Sequence, residues 1–328
     1  TKNIGSCNKE QLHQSIQKTV DEMYSCALPT KYESSLHYPL LYSLLKELYD
    51  VRTIFKNVAY IDIGSPMPLI GTANFQNINA FAEPKYKLIV IDRSLHFFLS
   101  CIVTILVEFI TTNNNDRFVI RPSLITREHI IDKINSNREL PQIFLEIICS
   151  YVLFRDTWPY KRYHYGNEEK HTWHEFITKE VYRFVVSHEL AHLLLNDTQS
   201  SVQIEQDADY VGAYLCVASI CKDKEIKDMD LFWAMSITVK TMDILYKCDS
   251  YFKNNNNSYP ANRIQTINTV LVKASADEYV LGMVSAIDMI FEILWSTIKS
   301  PLEALTKAWN DGRISSIKEL QQLISIIN

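Results

Sequence analysis

His188, Glu189 and His192 stand in the order His-Glu-Leu-Ala-His. On a helix, positions four apart share a face, so both imidazoles point the same way. Two nitrogen ligands on one face can grip a single zinc ion, with Glu189 within reach of the water on that ion. The chemistry open to such a set is metal-assisted hydrolysis, most often of a peptide bond. The flanks, Val185-Val186-Ser187 and Leu193-Leu194-Leu195, are mostly apolar. That pattern suits a helix which buries its back and opens its histidine face on a cleft.

A hydrolytic zinc needs a third protein ligand and one open position. Thirteen residues after His192 comes Glu205-Gln206-Asp207-Ala208-Asp209. Glu205 and Asp209 share a face of the next expected helix. Glu205 can complete a His-His-Glu set, and Asp209 can accept the second N–H of a ligand histidine and fix its tautomer. Asp207 points elsewhere on that helix. A third histidine in the longer zinc motif is absent, because leucines and Asn196 follow His192. A His-His-carboxylate set on helices most often holds Zn2+.

His188 to His192, followed by Glu205, Ala208, Asp209 and Gly212, resembles the gluzincin metallopeptidases, whose second motif reads Glu-x-x-Ala-Asp. The resemblance implies zinc held by His188, His192 and Glu205, with Glu189 as general base. Ser258-Tyr259-Pro260-Ala261-Asn262-Arg263-Ile264 lies where Lit-type phage-exclusion peptidases and, more distantly, Ste24-like peptidases carry a histidine-proline pair and then an arginine-isoleucine pair. Here Tyr259 stands in place of that histidine, and the proline-to-arginine spacing is two residues shorter. The phenol of Tyr259 can donate to a developing oxyanion. Arg263 can bind a substrate carboxylate or backbone, or orient Glu205.

The resemblance implies a zinc-dependent endopeptidase that cleaves an intracellular protein and acts in phage defence by abortive infection. Lit-type enzymes are associated with cleavage of translation elongation factor Tu. An activating peptide or protein is then an expected partner beside the substrate, because a constitutively active protease would be toxic. Two alternatives stay open: a translocated effector or toxin protease, and a catalytically inactive His-Glu-x-x-His fold serving as a binding module.

The elements that must position these residues follow from composition and periodicity. The chain has 328 residues, 47% hydrophobic and 22% charged, enough for a sizeable core. A net charge of -5 argues against electrostatic capture of nucleic acid. Seven glycines are few for an all-β protein, so helix should dominate. The seven cysteines are odd in number and form no Cys-x-x-Cys pair, which favours a reducing, cytoplasmic setting. The start of the chain lacks the apolar core of a signal peptide. Phe97 to Ile110 and Tyr279 to Ile298 are strongly apolar, but Glu108 interrupts the first and Asp288 and Glu292 the second. Both read as buried helices, with no membrane span.

Helical spacing covers Tyr38 to Val51, Arg127 to Asn135, Gln142 to Arg155, Trp173 to Leu195 and Val202 to Cys221. Val58 to Ile63 and Lys87 to Ile91 read as strands, the second as an edge strand able to align an extended peptide. The asparagine runs Asn113 to Asn115 and Asn254 to Asn257 read as exposed loops. Ser300-Pro301-Leu302-Glu303 predicts a capping box that starts a helix, Asp311-Gly312 its end, and Ser316 to Glu319 the cap of the next. Trp158 to Tyr165 is a candidate groove wall, with His164 in it; His171 and His174 read as surface residues. The expected fold class is α+β, mostly α: a zincin-like metallopeptidase with a small N-terminal sheet and a helical C-terminal half. Residues 1–172 would supply the sheet and one cleft wall, and 173–328 the zinc site, in one compact unit.

Overall fold

The structure is a computed structural model that describes residues 38–327 apart from 59, 74–78, 115–116, 156–166, 198–200, 223–232, 254–260 and 275–277. Tyr259, the stretch Trp158 to Tyr165 with His164, and the run Asn254 to Asn257 lie outside the described residues. The protein is a mostly helical α+β molecule, with a small N-terminal mixed sheet of three strands, ten helices among the described residues, and a helical C-terminal half.

Helix α1, Tyr38–Val51, follows the leucine spacing of the sequence. Leu41, Leu44, Leu45 and Leu48 all face inward and are buried, each contributing about 1.5–3 kcal/mol of apolar transfer energy. The described residues of Val58 to Ile63 do not form a strand; they are turns, a bend and irregular backbone. Their alternation serves another purpose. Ile61 is buried, and the N–H of Asp62 donates to the carbonyl of Leu194 at 2.9 Å. The segment thus satisfies one of the orphan carbonyls that close the His-Glu-x-x-His helix.

The sheet is built from β1 (Leu69–Ala73), β2 (Ala80–Glu83) and β3 (Leu88–Asp92) in the order β1-β3-β2. β1 pairs with β3 in parallel, from Leu69 opposite Leu88 to Ala73 opposite Asp92. β2 pairs with β3 antiparallel, from Ala80 opposite Ile91 to Glu83 opposite Leu88. The segment expected at the edge is therefore the central strand, and all five residues of β3 are buried. A continuous run of Leu, Ile and Val is what a strand covered on both faces requires. The edge strand beside the cleft is β2, whose short mixed sequence carries little strand signal.

Asp92 ends β3 and caps helix α2 (Arg93–Ile110), accepting from the N–H of Ser94 at 2.8 Å. A hairpin of β4 (Thr111–Asn114) and β5 (Arg117–Ile120) follows. Asn113 and Asn114, expected in a loop, thus belong to a strand, because the ladder with β5 satisfies their backbone. Helices α3 (Arg127–Ser136), α4 (Glu139–Phe154), α5 (Glu168–Leu195) and α6 (Val202–Lys222) come next. The chain continues through α7 (Ala234–Lys253), α8 (Ala261–Ala274), α9 (Glu278–Asn310) and α10 (Ile317–Ile327). The expected division at residues 172 and 173 falls inside α5, and one continuous apolar core joins α1 to α10.

No helix starts at Pro301. Helix α9 runs straight through it, because Leu294, Ile298, Leu302 and Leu305 form one buried face on both sides of the proline. Packing of that face outweighs the lost backbone bond. The helix stops where Gly312 takes φ 72°, with its N–H on the carbonyl of Trp309. Ser316 then accepts from the N–H of Glu319 as the capping box requires. Helices α2 and α9 are both long and apolar enough to cross a membrane; in the molecule, 67% and 50% of their most apolar windows are buried. The cysteines among the described residues, Cys101, Cys149, Cys216, Cys221 and Cys248, are free thiols.

A buried ion-pair cluster ties three helices together behind the histidines. Arg183 on α5, 3% exposed, reaches Glu180 at 2.7 Å, Glu47 of α1 at 2.6 Å and the Ser219 hydroxyl of α6 at 3.2 Å. With every guanidinium nitrogen given an acceptor, the cluster fixes how α1 and α6 meet the back of α5.

Candidate metal centre

Helix α5 begins at Asn167, whose side chain accepts from the N–H groups of Glu169 and Lys170. It ends at Asn196, a left-handed residue with φ 55°. The next N–H, of Asp197, returns to the carbonyl of His192 at 3.0 Å, the six-to-one bond of a Schellman turn. Between these ends the helix presents His188, Glu189 and His192 to a cleft of about 660 Å3.

Helix α6 crosses this face at Gly212. A Cβ there would lie 3.0 Å from the Cα and N of His188 and 3.1 Å from the carbonyl carbon of Ser187, all backbone atoms. Only glycine lets the two helices close so far, and the closure carries Glu205 and Asp209 to the histidines. Gly212→Ala should therefore lose stability, by about 1–3 kcal/mol from overpacking, although alanine is the better helix former by about 1 kcal/mol. Its zinc affinity should fall with it. Unfolding in urea and competition against a chromophoric chelator measure the two effects; a variant as stable as wild type would refute the tight crossing.

Three ligand atoms converge. His188 Nε2 lies 3.1 Å from His192 Nε2 and 3.4 Å from a Glu205 oxygen, and His192 Nε2 lies 3.8 Å from the other Glu205 oxygen. Two ligands at about 2.0–2.1 Å from a tetrahedral zinc stand about 3.3 Å apart. The donor set and its separations fit that ion. It is the one such group of His, Cys, Asp and Glu among the described residues.

Each imidazole has a carboxylate behind it. Nδ1 of His188 lies 2.9 Å from Asp209, which is 1% exposed. The carboxylate sits off the line of the ring N–H, so this contact is an ion pair rather than an aligned hydrogen bond. Nδ1 of His192 lies 3.0 Å from Asp197. Both contacts leave Nε2 as the atom facing Glu205, the second-sphere arrangement that fixes tautomers at metal sites. Arg263, on α8, forks onto Asp209 through Nε and Nη2 at 2.5 and 2.8 Å and reaches Glu205 at 3.2 Å. Of the roles considered for Arg263, this geometry is that of orienting Glu205. Asp207 takes the side chain of Gln203 on the exposed face.

Asp197 escaped the sequence reading. Five residues beyond His192, it lies off the histidine face of a continuing helix. The turn at Asn196 brings it back, and an asparagine followed by an aspartate after the last leucine was the available signal. Of the two other histidines read as surface residues, one differs from that expectation. His174 is half-buried, with Nε2 3.1 Å from the hydroxyl of Ser100 on α2. His171 is exposed and stands 3.6 Å from Glu175, an acidic residue four positions on.

Charge balance at the centre follows from burial. Desolvation works against the His188 imidazolium, but Asp209 and Glu205 outweigh it and push the pKa up to about 10. Burial and the neighbouring His188 charge hold His192 below its usual value. Burial alone would raise Glu205 and Asp209; the charges of His188 and Arg263 prevail and hold both below the ordinary carboxylate range. Glu189 is pushed up to about 7, chiefly by burial.

A proton therefore occupies His188 in the metal-free protein at neutral pH, and a metal must displace it. This proton stabilises the metal-free fold fully below about pH 6.5, and that stabilisation is lost as pH rises through about 10. Zinc affinity should weaken about tenfold for each unit of pH lowered between 8 and 6, per proton displaced. Chelator competition at three pH values tests this, and a flat affinity would contradict it.

Compared with protein-family models, with curated proteins and with solved structures, the chain matches none.

Proposed function

We propose that the protein is a zinc-dependent endopeptidase of zincin-like fold acting on an intracellular protein. One observation carries the reading: His188, His192 and Glu205 converge at zinc-ligand separations in a cleft that also holds the buried carboxylate of Glu189. Bound zinc would supply Lewis acidity, lowering the pKa of water and polarising a carbonyl. The remaining work falls to the chain. Asp209 and Asp197 hold the imidazoles so that both Nε2 atoms face one point. Arg263 keeps Glu205 and Asp209 ionised and in place. Glu189 accepts a proton from the attacking water and returns it to the leaving amine, a transfer favoured by a pKa near the working pH. The edge of β2 flanks the cleft and suits an extended peptide backbone.

The test is a comparison of newly formed protein termini in cells expressing the wild type and His192→Ala, read by mass spectrometry, with zinc content measured on both purified proteins. Fragments seen only with the zinc-containing wild type are expected. Identical termini in the two cultures, both before and during infection and with zinc bound to the wild type, would overturn the peptidase reading. The role in phage exclusion rests on the order of motifs; there the same comparison is made during infection, where the activating peptide or protein would be present.

A further inference from the structure

The cleft is charged beside the candidate ligands, where Asp197, Glu205, Asp209 and Arg263 line it. Toward the start of α5 its lining changes. There Leu95 of α2, Phe184 and Val185 of α5, and Thr238, Val239 and Met242 of α7 come together. No charged side chain stands in this group. The hydroxyl oxygen of Thr238 is buried, so the wall shows no accessible polar side-chain atom. Leu95, Phe184, Val185 and Val239 are rooted in the core, and Met242 packs half-buried against them. An apolar wall beside a few convergent polar groups is the usual make-up of a ligand pocket.

This wall lies one step from the candidate metal ligands. A helix rises about 1.5 Å per residue, so Val185 and Phe184 stand about 4.5 and 6 Å along α5 from His188. The ring centroids of Phe184 and His188 are 6.3 Å apart. An extended peptide advances about 3.3 Å per residue. A carbonyl held at the histidines therefore brings a neighbouring side chain against the wall.

We propose that Val239 and Met242 of α7, with Leu95 and Phe184, set the substrate preference: they receive an aliphatic side chain from a residue flanking the cleaved bond. The inference rests on the peptidase reading and adds a substrate class to it. An acidic side chain finds no cation there, because Arg263 is engaged by Glu205 and Asp209. A basic one would lose its hydration against apolar side chains without gaining a carboxylate among them. Methionine is unbranched and turns about three bonds, so Met242 can adjust to aliphatic chains of different shape. The preference is thus for a class of residue rather than for one.

Hydroxamates grip zinc through their own two oxygens and probe the cleft without turnover. The test titrates N-acetyl hydroxamates of glycine, leucine, aspartate and lysine into the zinc-loaded protein by calorimetry. The leucine compound should bind about tenfold or more tighter than the glycine compound, as burial of its side chain requires. The aspartate and lysine compounds should bind no tighter than glycine. Met242→Glu should cost the leucine compound about tenfold and favour the lysine compound by a similar factor. Met242→Ala adds no charge and should cost leucine about threefold; it decides the matter if the glutamate variant fails to hold zinc. Equal affinities across the series, no binding of any member, or a leucine preference unchanged by the Met242 substitutions would overturn the inference. Cleavage of a mixed peptide pool separates it from the reading beneath it. Cuts beside aliphatic residues are expected. Cuts with no aliphatic flank would overturn the preference and leave the peptidase reading standing. A leucine preference without any cut would sink the peptidase reading and leave the pocket standing.

Discussion

Glu189→Gln should keep the fold and the zinc while losing at least about 100-fold in kcat, the lower range for removal of a general acid–base group. Glutamine matches glutamate in shape, so the cleft stays in place. It cannot take up a proton. A second effect has the opposite sign. Burial raises the Glu189 pKa to about 7, so its contribution to stability is fully present below the ordinary glutamate value near 4.3. That contribution is lost as pH rises through about 7. At neutral pH the wild type therefore keeps a poorly solvated carboxylate, and the neutral amide removes that cost. The metal-free variant should melt at a higher temperature than the metal-free wild type at pH 8, with little difference at pH 4. Proteolysis that survives the substitution with zinc still bound would remove Glu189 from the mechanism.

Asp209→Ala should be the most damaging change outside the ligands. The carboxylate is 1% exposed and serves two cations, Arg263 through two bonds and His188 through Nδ1. Removing one member of a buried ion cluster leaves the others uncompensated, at a cost of about 3–5 kcal/mol. Loss of the partner behind a ligand histidine weakens metal binding by about 10–100-fold besides. The pH dependence has a defined sign. Burial opposes ionisation of Asp209, yet Arg263 and His188 overcome it and hold the pKa down. Its stabilisation is thus present above the ordinary aspartate value near 3.9 and is lost in acid, as pH falls through the folded value. Asp209→Asn, which keeps a hydrogen-bond acceptor and loses the charge, should fall between wild type and Asp209→Ala in urea unfolding. A loss below about 1 kcal/mol for the alanine variant would place Asp209 among ordinary surface ion pairs.

The two largest effects come from different kinds of information. His188, Glu189 and His192 were readable as a unit because a helix repeats locally, and spacing alone puts i and i+4 on one face. The same rule paired Glu205 with Asp209 before any contact between α5 and α6 was known. Helix spans were legible for the same reason, from Tyr38 to Val51 onward. The sheet was not. Val58 to Ile63 alternates well but closes a helix end, while β1 contains Gly71 and β2 two alanines, neither rich in the residues that mark strands. Strand order also reversed one expectation: the most strand-like segment, β3, became the centre because an apolar run buries best with neighbours on both sides.

By itself, the sequence determined the candidate metal-binding set and the helices that carry it, since helical periodicity is a property of neighbours along the chain. Only the tertiary structure decided what holds that set together. The close crossing at Gly212, the return of Asp197 behind His192 and the fork of Arg263 onto Asp209 join positions between 5 and 54 residues apart. Such contacts depend on how whole elements pack, and no local spacing encodes that.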